Sequence, residues 1–215
     1  AALYPRMSEA FVHDKERLRY LFDNAMKYLV IIAMPLAIGI GVLARDAVIS
    51  IYTIEYLPSV LPLQILLASL IFAFLAFPVG SLLNSSNKQH IQTTAMGVAM
   101  VVNLLINIFL IPLWGVVGAA VAALLSNIVL FVGGYLFVRR IIRPGYARFI
   151  GLFFSALFVA GLMGVAVWLL KHLIPWYLTI PIGIILYGMG LLLARIVTMD
   201  EIGQFKQRIF NRLDV

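Results

Sequence analysis

The sequence contains no cysteine, and only 12% of its 215 residues are charged. The absence of thiols excludes disulfides, thiolate metal ligands and cysteine nucleophiles. The charged fraction is about half of that in a typical soluble domain. Hydrophobic residues make up 63% of the chain, in long runs that lack the period-two alternation of barrel strands. The composition therefore predicts an all-α integral membrane protein.

Charge is missing most completely between Gln89 and Val138, a stretch without a single Asp, Glu, Lys or Arg. A helix needs about 20 residues to cross a hydrocarbon core of about 30 Å, so this stretch is long enough for two crossings. Pro112 removes a helix hydrogen-bond donor, and Gly115 loosens the backbone next to it. We therefore predict a transmembrane hairpin with arms at 91–111 and 116–138 and a tight turn between them.

Four further apolar runs predict membrane spans at 28–44, 61–83, 149–170 and 177–194, and with the hairpin they make six. Kinks are expected at Pro35 and Pro78. Segment 1–23 is predicted to hold the end of a preceding helix and an amphipathic helix that leads into the first span. Segment 198–215 has apolar residues on one helical face, which predicts an amphipathic helix on the membrane surface, with a solvated tail as the alternative.

The distribution of basic residues predicts the orientation of the six spans. The apolar runs predict a chain organised as four helices within 24–138, a basic loop at 139–148 and an extra pair of helices within 149–197. If the N-terminus is cytoplasmic, only Arg45 and Lys171 of the 16 Lys and Arg residues fall on the outer side. Positive loops face the cytoplasm, so both termini are predicted to lie there, in the cytoplasmic membrane. The same bias accounts for the net charge of +7 without nucleic acid as a partner.

Uncharged polar and small residues mark the hairpin. Asn103 and Asn107 lie four positions apart and therefore share a helix face. The second arm carries small residues at spacings of three and four, which we interpret as a surface for close helix packing: Gly115, Gly118, Ala119, Ala122 and Ser126. Amides are poorly satisfied in lipid, so interhelical hydrogen bonding and a substrate path both remain open for the two asparagines.

Titratable groups suitable for catalysis are sparse in the predicted spans. None of the nine acidic residues lies within a predicted span, and the three histidines fall in separate loops or span ends. Catalysis on a lipid carrier would need paired carboxylates, a metal cluster or a nucleophile with a base. The sequence therefore predicts no metal, no cofactor and no enzymatic centre.

Short motifs occur in an order that resembles a known transporter family. They are Leu-Tyr-Pro-Arg-Met-Ser at 3–8, Met34-Pro35-Leu36, the pair Asn103 and Asn107, Leu110-Ile111-Pro112, and Gly-Val-Val-Gly-Ala-Ala at 115–120. Over about residues 3–140 the chain resembles the C-terminal half of polysaccharide-unit (O-antigen type) flippases of the multidrug/oligosaccharidyl-lipid/polysaccharide exporter superfamily. The last two spans resemble the extra helix pair that many members carry.

The resemblance implies that the six spans form one lobe of a MATE-like transporter fold. A missing N-terminal lobe or a second chain would supply the other lobe. The implied activity is flipping of a lipid-linked oligosaccharide, a polysaccharide repeat unit, across the cytoplasmic membrane by alternating access, among membrane lipids. A lobe of a MATE-type cation or drug antiporter and a non-transporting membrane assembly subunit are the alternatives.

Candidate functional residues follow from this resemblance and from their polarity. Sugars offer many hydrogen-bond donors and acceptors, so the candidates for the substrate path are Asn84, Asn103, Asn107, Ser126 and Asn127. Arg139 and Arg140 are candidates for the phosphate of the head group, or serve only to fix orientation. The candidate hinge and turn residues are Pro35, Pro78, Pro112 and Gly115.

Overall fold

The computed structural model describes residues 3–197, and over that range every regular element is helical. Two short 3₁₀ turns, Ile54–Ser59 and Trp176–Leu178, precede the third and seventh helices. The α-helices are α1 Leu3–His13, α2 Lys15–Ile51, α3 Val60–Ser85, α4 Gln89–Trp114, α5 Val116–Val138, α6 Tyr146–Leu170 and α7 Thr179–Leu193. The amphipathic helix predicted for 198–215 lies outside the described residues.

Six helices are long and apolar enough to cross a membrane: α2, α3 with its preceding turn, α4, α5, α6, and α7 with its preceding turn. The prediction of an all-α membrane protein with six spans is therefore confirmed. Neighbouring helices pack in the order α4, α5, α3, α2, α6, α7, so that they form a row. The short α1 packs against α2 and α3.

The first span begins with a side-chain cap. A carboxylate oxygen of Asp14 accepts hydrogen bonds from the backbone N–H groups of Glu16 and Arg17, both at 2.9 Å. Such a cap satisfies two donors that a helix start leaves unpaired. The helix then continues without interruption to Ile51, so the amphipathic lead-in and the first span form one helix of about 55 Å.

The hairpin between α4 and α5 is present, but its turn differs from the prediction. We expected the first arm to end at Ile111, whereas α4 continues through Pro112 to Trp114. Proline in the last turn of a helix removes only one hydrogen bond, and the N–H of Gly115 still donates to the carbonyl of Ile111 at 2.8 Å. The chain reverses at Gly115, which has φ +54° and ψ −128°, a conformation that glycine tolerates better than other residues.

Close approach of the two arms depends on a second glycine. A Cβ atom added at Gly118 would collide with the backbone carbonyl of Leu110 in α4. Gly118 and Ala122 are buried, as the interpretation of the small-residue stripe as a packing surface requires. The absence of side chains here brings the backbones of α4 and α5 into contact next to the turn.

Pro35 lies within α2 without ending the helix. Proline has no N–H, so the carbonyl of Ile31 lacks its usual donor four residues later. The hydroxyl of Tyr187 in α7 donates to this carbonyl at 3.0 Å. A neighbouring helix thus supplies the missing hydrogen bond. Pro78 is buried within the continuous α3, and the kinks expected at Pro35 and Pro78 stay predictions.

The extra helix pair docks on α2. The Lys171 ammonium at the end of α6 lies 2.8 Å from a carboxylate oxygen of Asp46. Near this pair, the indole N–H of Trp176 donates to the Ser50 hydroxyl at 3.1 Å. These contacts place the turn between α6 and α7 beside the C-terminal part of α2. We call the opposite end of the helices, where Lys27, Lys88 and Arg139 lie, the basic end.

Candidate functional site

Three polar side chains form a hydrogen-bonded chain between α4 and α5, which we call the amide seam: Asn103, Asn107 and Ser126. The Nδ2 of Asn107 donates to Oδ1 of Asn103 at 2.9 Å, and Nδ2 of Asn103 lies 3.1 Å from the Ser126 hydroxyl. That hydroxyl donates to the backbone carbonyl of Ala123 at 3.0 Å. The seam therefore connects both arms of the hairpin inside an otherwise apolar stretch.

The hairpin geometry explains why these residues meet. Asn103 and Asn107 share one face of α4 because they are one turn apart. Asn103 precedes Gly115 by about as many residues as Ser126 follows it, so the reversal at Gly115 brings the two to the same height. The contact between Asn103 and Ser126 could have been predicted from the sequence if the turn had been assigned to Gly115 alone.

One atom of the seam has no partner within the described part of the chain. The Oδ1 oxygen of Asn107 is buried and accepts no hydrogen bond. A buried acceptor without a donor costs about 1–3 kcal/mol. The seam is therefore complete as a link between helices except at this carbonyl, which retains the capacity to accept one more hydrogen bond.

Asn127 belongs to a different contact. Its Nδ2 donates to the hydroxyl of Ser69 in α3 at 2.8 Å, and Ser69 is buried. This bond joins α5 to α3, on the other side of α5 from the contact with α4. Sequence reasoning missed Ser69, although a hydroxyl in the middle of an apolar span is a signal that could have identified it.

The remaining candidates lie apart from the seam. Asn84 is in the last turn of α3 at the basic end, and its backbone carbonyl accepts from the N–H of Ser86. Arg139 and Arg140 are exposed directly after α5, and the guanidinium of Arg140 lies 4.8 Å from the ring centre of Phe137. The structure thus brings together three of the five substrate-path candidates and places both arginines at the end of the bundle.

Acidic groups do not reach the middle of the bundle in the described part of the chain. From α3 through α7 the helices contain no Asp or Glu, and in α2 the span between Tyr28 and Ala44 contains none. Within residues 3–197 no three His, Asp or Glu side chains are grouped as a metal site would require. The fold and the seam define a multi-pass helical membrane protein in which the described polar side chains in the middle of the bundle are uncharged.

Comparison with known proteins identifies the family within this class. The family model described as lipid II flippase MurJ matches residues 1–187. The chain belongs to the MurJ family. The family takes its description from a flippase, which is a transporter and not an enzyme, as the sequence led us to expect.

Individual relatives are distant and longer. The chain is 24% identical over 181 residues to lipid II flippase MurJ of Bacillus subtilis, covering 82% of this chain and 33% of that protein. It is 26% identical over 144 residues to the uncharacterized membrane protein MJ1068 of Methanocaldococcus jannaschii, covering 66% of this chain and 28% of the relative. For the probable low-salt glycan biosynthesis flippase Agl15 of Haloferax volcanii the identity is 25% over 127 residues, with 59% and 27% covered.

The chain thus spans about a third or less of the length of these relatives. The resemblance to the superfamily of lipid-linked oligosaccharide flippases is confirmed at the level of the family. The narrower likeness to O-antigen type flippases, and the position of this chain within a complete transporter, remain proposals.

Proposed function

We propose that this chain is roughly the second half of a flippase and forms one of its two lobes. The transporter moves a lipid-linked oligosaccharide, a polysaccharide repeat unit as in O-antigen type members, across the cytoplasmic membrane by alternating access. Both termini lie in the cytoplasm. The observation that carries this proposal is the match of residues 1–187 to a flippase family.

The physical task explains the chemistry of the amide seam. A sugar head group must cross about 30 Å of hydrocarbon while its hydroxyls stay hydrogen-bonded. Amides and hydroxyls can exchange hydrogen bonds with a sugar without the cost of burying a charge. The unpaired Asn107 carbonyl oxygen is the atom of the seam best suited to accept such a bond when the helices separate slightly.

In this proposal, the basic end of the bundle binds the phosphate of the lipid-linked substrate. Arg139 and Arg140 are exposed at the basic end, where a cytoplasmic diphosphate would approach. Guanidinium groups bind phosphate through charge-assisted hydrogen bonds. In this proposal the two arginines attract the head group, while the amide seam contacts its sugars deeper in the membrane.

A second lobe is required, and α4 offers a surface for it. Only 6% of the most apolar stretch of α4 is buried, against 33% for α2. Its exposed side chains include Met100, Leu104 and Phe109. In this proposal α4 faces the other lobe or the lipid at its edge, and that lobe comes from the same polypeptide or from a second copy.

Transport in cells tests the function. Cells depleted of the full gene product should lose lipid-linked oligosaccharide from the outer leaflet, measured by a reagent that cannot cross the membrane. Wild-type protein should restore it. Asn107→Leu should restore at most about a tenth as much at equal protein level, since loss of one polar contact costs about 1–3 kcal/mol.

A matched control keeps this test specific. Thr94→Val removes a hydroxyl from an exposed position of α4, where it bonds only to the carbonyl of His90 in its own helix, and should restore fully. Equal loss of protein level and transport in Asn107→Leu would mean that Asn107 is structural. Export of a cationic dye would identify an antiporter, and unchanged glycan display after depletion would identify an assembly subunit.

A further inference from the structure

At the basic end, a cleft of about 600 Å³ opens between α2, the start of α6 and the residues after α7, with Tyr135 of α5 also in its wall. The amide seam between α4 and α5 contributes none of its three residues to the wall of this cleft. Flipping as proposed above makes no use of it. The charged residues of its wall are Glu16, Arg19, Asp23, Lys27, Arg148 and Arg195.

Basic residues outnumber acidic ones in this wall. Arg19 pairs with Asp23, with Nε 3.6 Å from Oδ2, and a methyl group built at Gly145 would lie 3.7 Å from Nη2 of Arg19. The pair therefore sits beside the first turn of α6. Within residues 3–197, Arg148 and Arg195 form no ion pair. Asp23 also interacts electrostatically with Arg148. Even without Lys27, the three arginines of the wall outnumber its two described acidic residues.

Arg195 occupies a conformation that usually belongs to glycine. It follows the end of α7 with φ +52°, in the left-handed region. Its N–H donates to the carbonyl of Leu192 and the N–H of Ile196 to that of Leu191, both at 3.0 Å, which closes the helix end. An arginine is thus held, at a conformational cost, at the one position of this turn where glycine would be easier to accommodate.

The cleft joins charged and apolar surfaces. Phe149 and Leu152 of α6 line it together with the basic residues. The apolar stretch of α2 starts at Tyr28, directly after Lys27. A cleft at this boundary lies at the level of lipid head groups, with basic groups on one side and hydrocarbon on the other. Basic pockets between transmembrane helices at the cytoplasmic surface bind anionic lipid head groups in this way.

We propose that this cleft binds the phosphate of an anionic membrane phospholipid. Arg19, Arg148 and Arg195 surround the phosphate, and the acyl chains follow the apolar surface of α6 into the bilayer. Because the wall is made by α2, α6 and the end of α7, the bound lipid holds the extra helix pair against the rest of the row. This site is independent of the flipping proposed above.

Lipid titration of the purified full chain tests the site. The midpoint of thermal unfolding in neutral detergent is followed with dioleoylphosphatidylglycerol, with dioleoylphosphatidylcholine and with inorganic phosphate. Phosphatidylglycerol should raise the midpoint saturably, and the other two should not at equal concentration. Arg148→Gln should weaken the apparent affinity for phosphatidylglycerol about fivefold, the contribution of one basic residue near a membrane surface.

Two further variants separate binding from folding. Arg195→Gly removes the guanidinium but favours the left-handed turn, so it should weaken the lipid effect about fivefold without lowering the midpoint of lipid-free protein. Arg143→Gln changes an exposed basic residue outside the cleft and should leave the affinity unchanged. Equal responses to both lipids, equal weakening by Arg143→Gln, or a full response to inorganic phosphate alone would each overturn the proposal.

Discussion

Tyr187 shows how one side chain can compensate for proline inside a membrane helix. Its hydroxyl donates to the Ile31 carbonyl, which Pro35 deprives of a backbone donor. In hydrocarbon no water is available to take over this role. The bond therefore fixes α7 to α2 and lets α2 contain a proline without an unpaired carbonyl.

The first prediction concerns this bond. Tyr187→Phe should lower the free energy of unfolding by about 1–2 kcal/mol, because the Ile31 carbonyl is left without a donor. In the background Pro35→Ala, where a backbone N–H can serve that carbonyl, the same change should cost less than about half as much. A double-mutant cycle on detergent-solubilised protein measures the difference.

The control for this cycle is Tyr177→Phe, which alters an exposed tyrosine next to α7 and should change stability by less than about 0.5 kcal/mol. Equal costs of Tyr187→Phe in both backgrounds would show that the hydroxyl does not compensate for Pro35.

Asn103 and Asn107 look equivalent in sequence but differ in the structure. Asn103 is bonded on both sides, to Asn107 and to Ser126, whereas Asn107 keeps one buried oxygen without a donor. Asn103 is therefore the main structural link of the amide seam, and Asn107 is the better candidate for contact with a substrate. The two asparagines differ because Ser126 on the facing helix lies next to Asn103 and not next to Asn107.

At the scale of the helices, the close packing of α4 against α5 depends on Gly118. Gly118→Ala should lower the free energy of unfolding by about 1–3 kcal/mol, because the added methyl group meets the rigid backbone carbonyl of Leu110. Gly133→Ala, in the same helix, adds a methyl group where no atom lies within 4 Å. It should be neutral or stabilise by up to about 1 kcal/mol, as expected from helix propensity.

Unfolding titrations of the two variants measure this difference. Similar stabilities for Gly118→Ala and Gly133→Ala would show that α4 and α5 are farther apart in the membrane than in this structure.

The elements predicted from sequence were those set by length and periodicity. The six spans followed from apolar runs, and the α4–α5 hairpin followed from its uncharged length. The amphipathic lead-in to the first span, predicted within segment 1–23, is the N-terminal part of α2, which begins at Lys15. Pro112 was misjudged because a proline near the end of a helix costs one hydrogen bond, while the nearby glycine reverses the chain.

Long-range contacts could not be predicted in the same way. Tyr187 and Ile31 are 156 positions apart, and Asn127 meets Ser69 across 58 positions. The order of helices in the row decides both contacts, and no periodic pattern encodes that order. The ring contacts of Tyr135 with Phe22 and Phe149, which link α5 to α2 and α6, were missed for the same reason.

At the scale of the whole molecule, the alternation of spans makes a labelling prediction. The chain contains no cysteine, so single cysteines report one position each. Glu55→Cys should react with a membrane-impermeant maleimide on intact cells. Arg143→Cys should react only after permeabilisation. Both sites are exposed on the protein, so access through the membrane alone decides the result, and the opposite pattern would invert the proposed orientation.

The proposed function also sets a requirement on the assembled transporter. The match covers 33% of the length of the B. subtilis relative. Helix α4, at one edge of the row, has most of its apolar surface exposed. Two lobes around a wet interior are needed before the amide seam can alternate between the two sides of a membrane. Purified protein for a transport assay must therefore be the complete gene product.

Movement of lipid-linked oligosaccharide in reconstituted vesicles tests the central claim most directly. Vesicles loaded with the lipid-linked sugar are mixed with a sugar-modifying enzyme outside, and the accessible fraction is followed over time. With the protein present, the fraction should rise from about half towards completion. If it stays at the value of protein-free vesicles while the protein is folded and inserted, the chain is not part of a flippase.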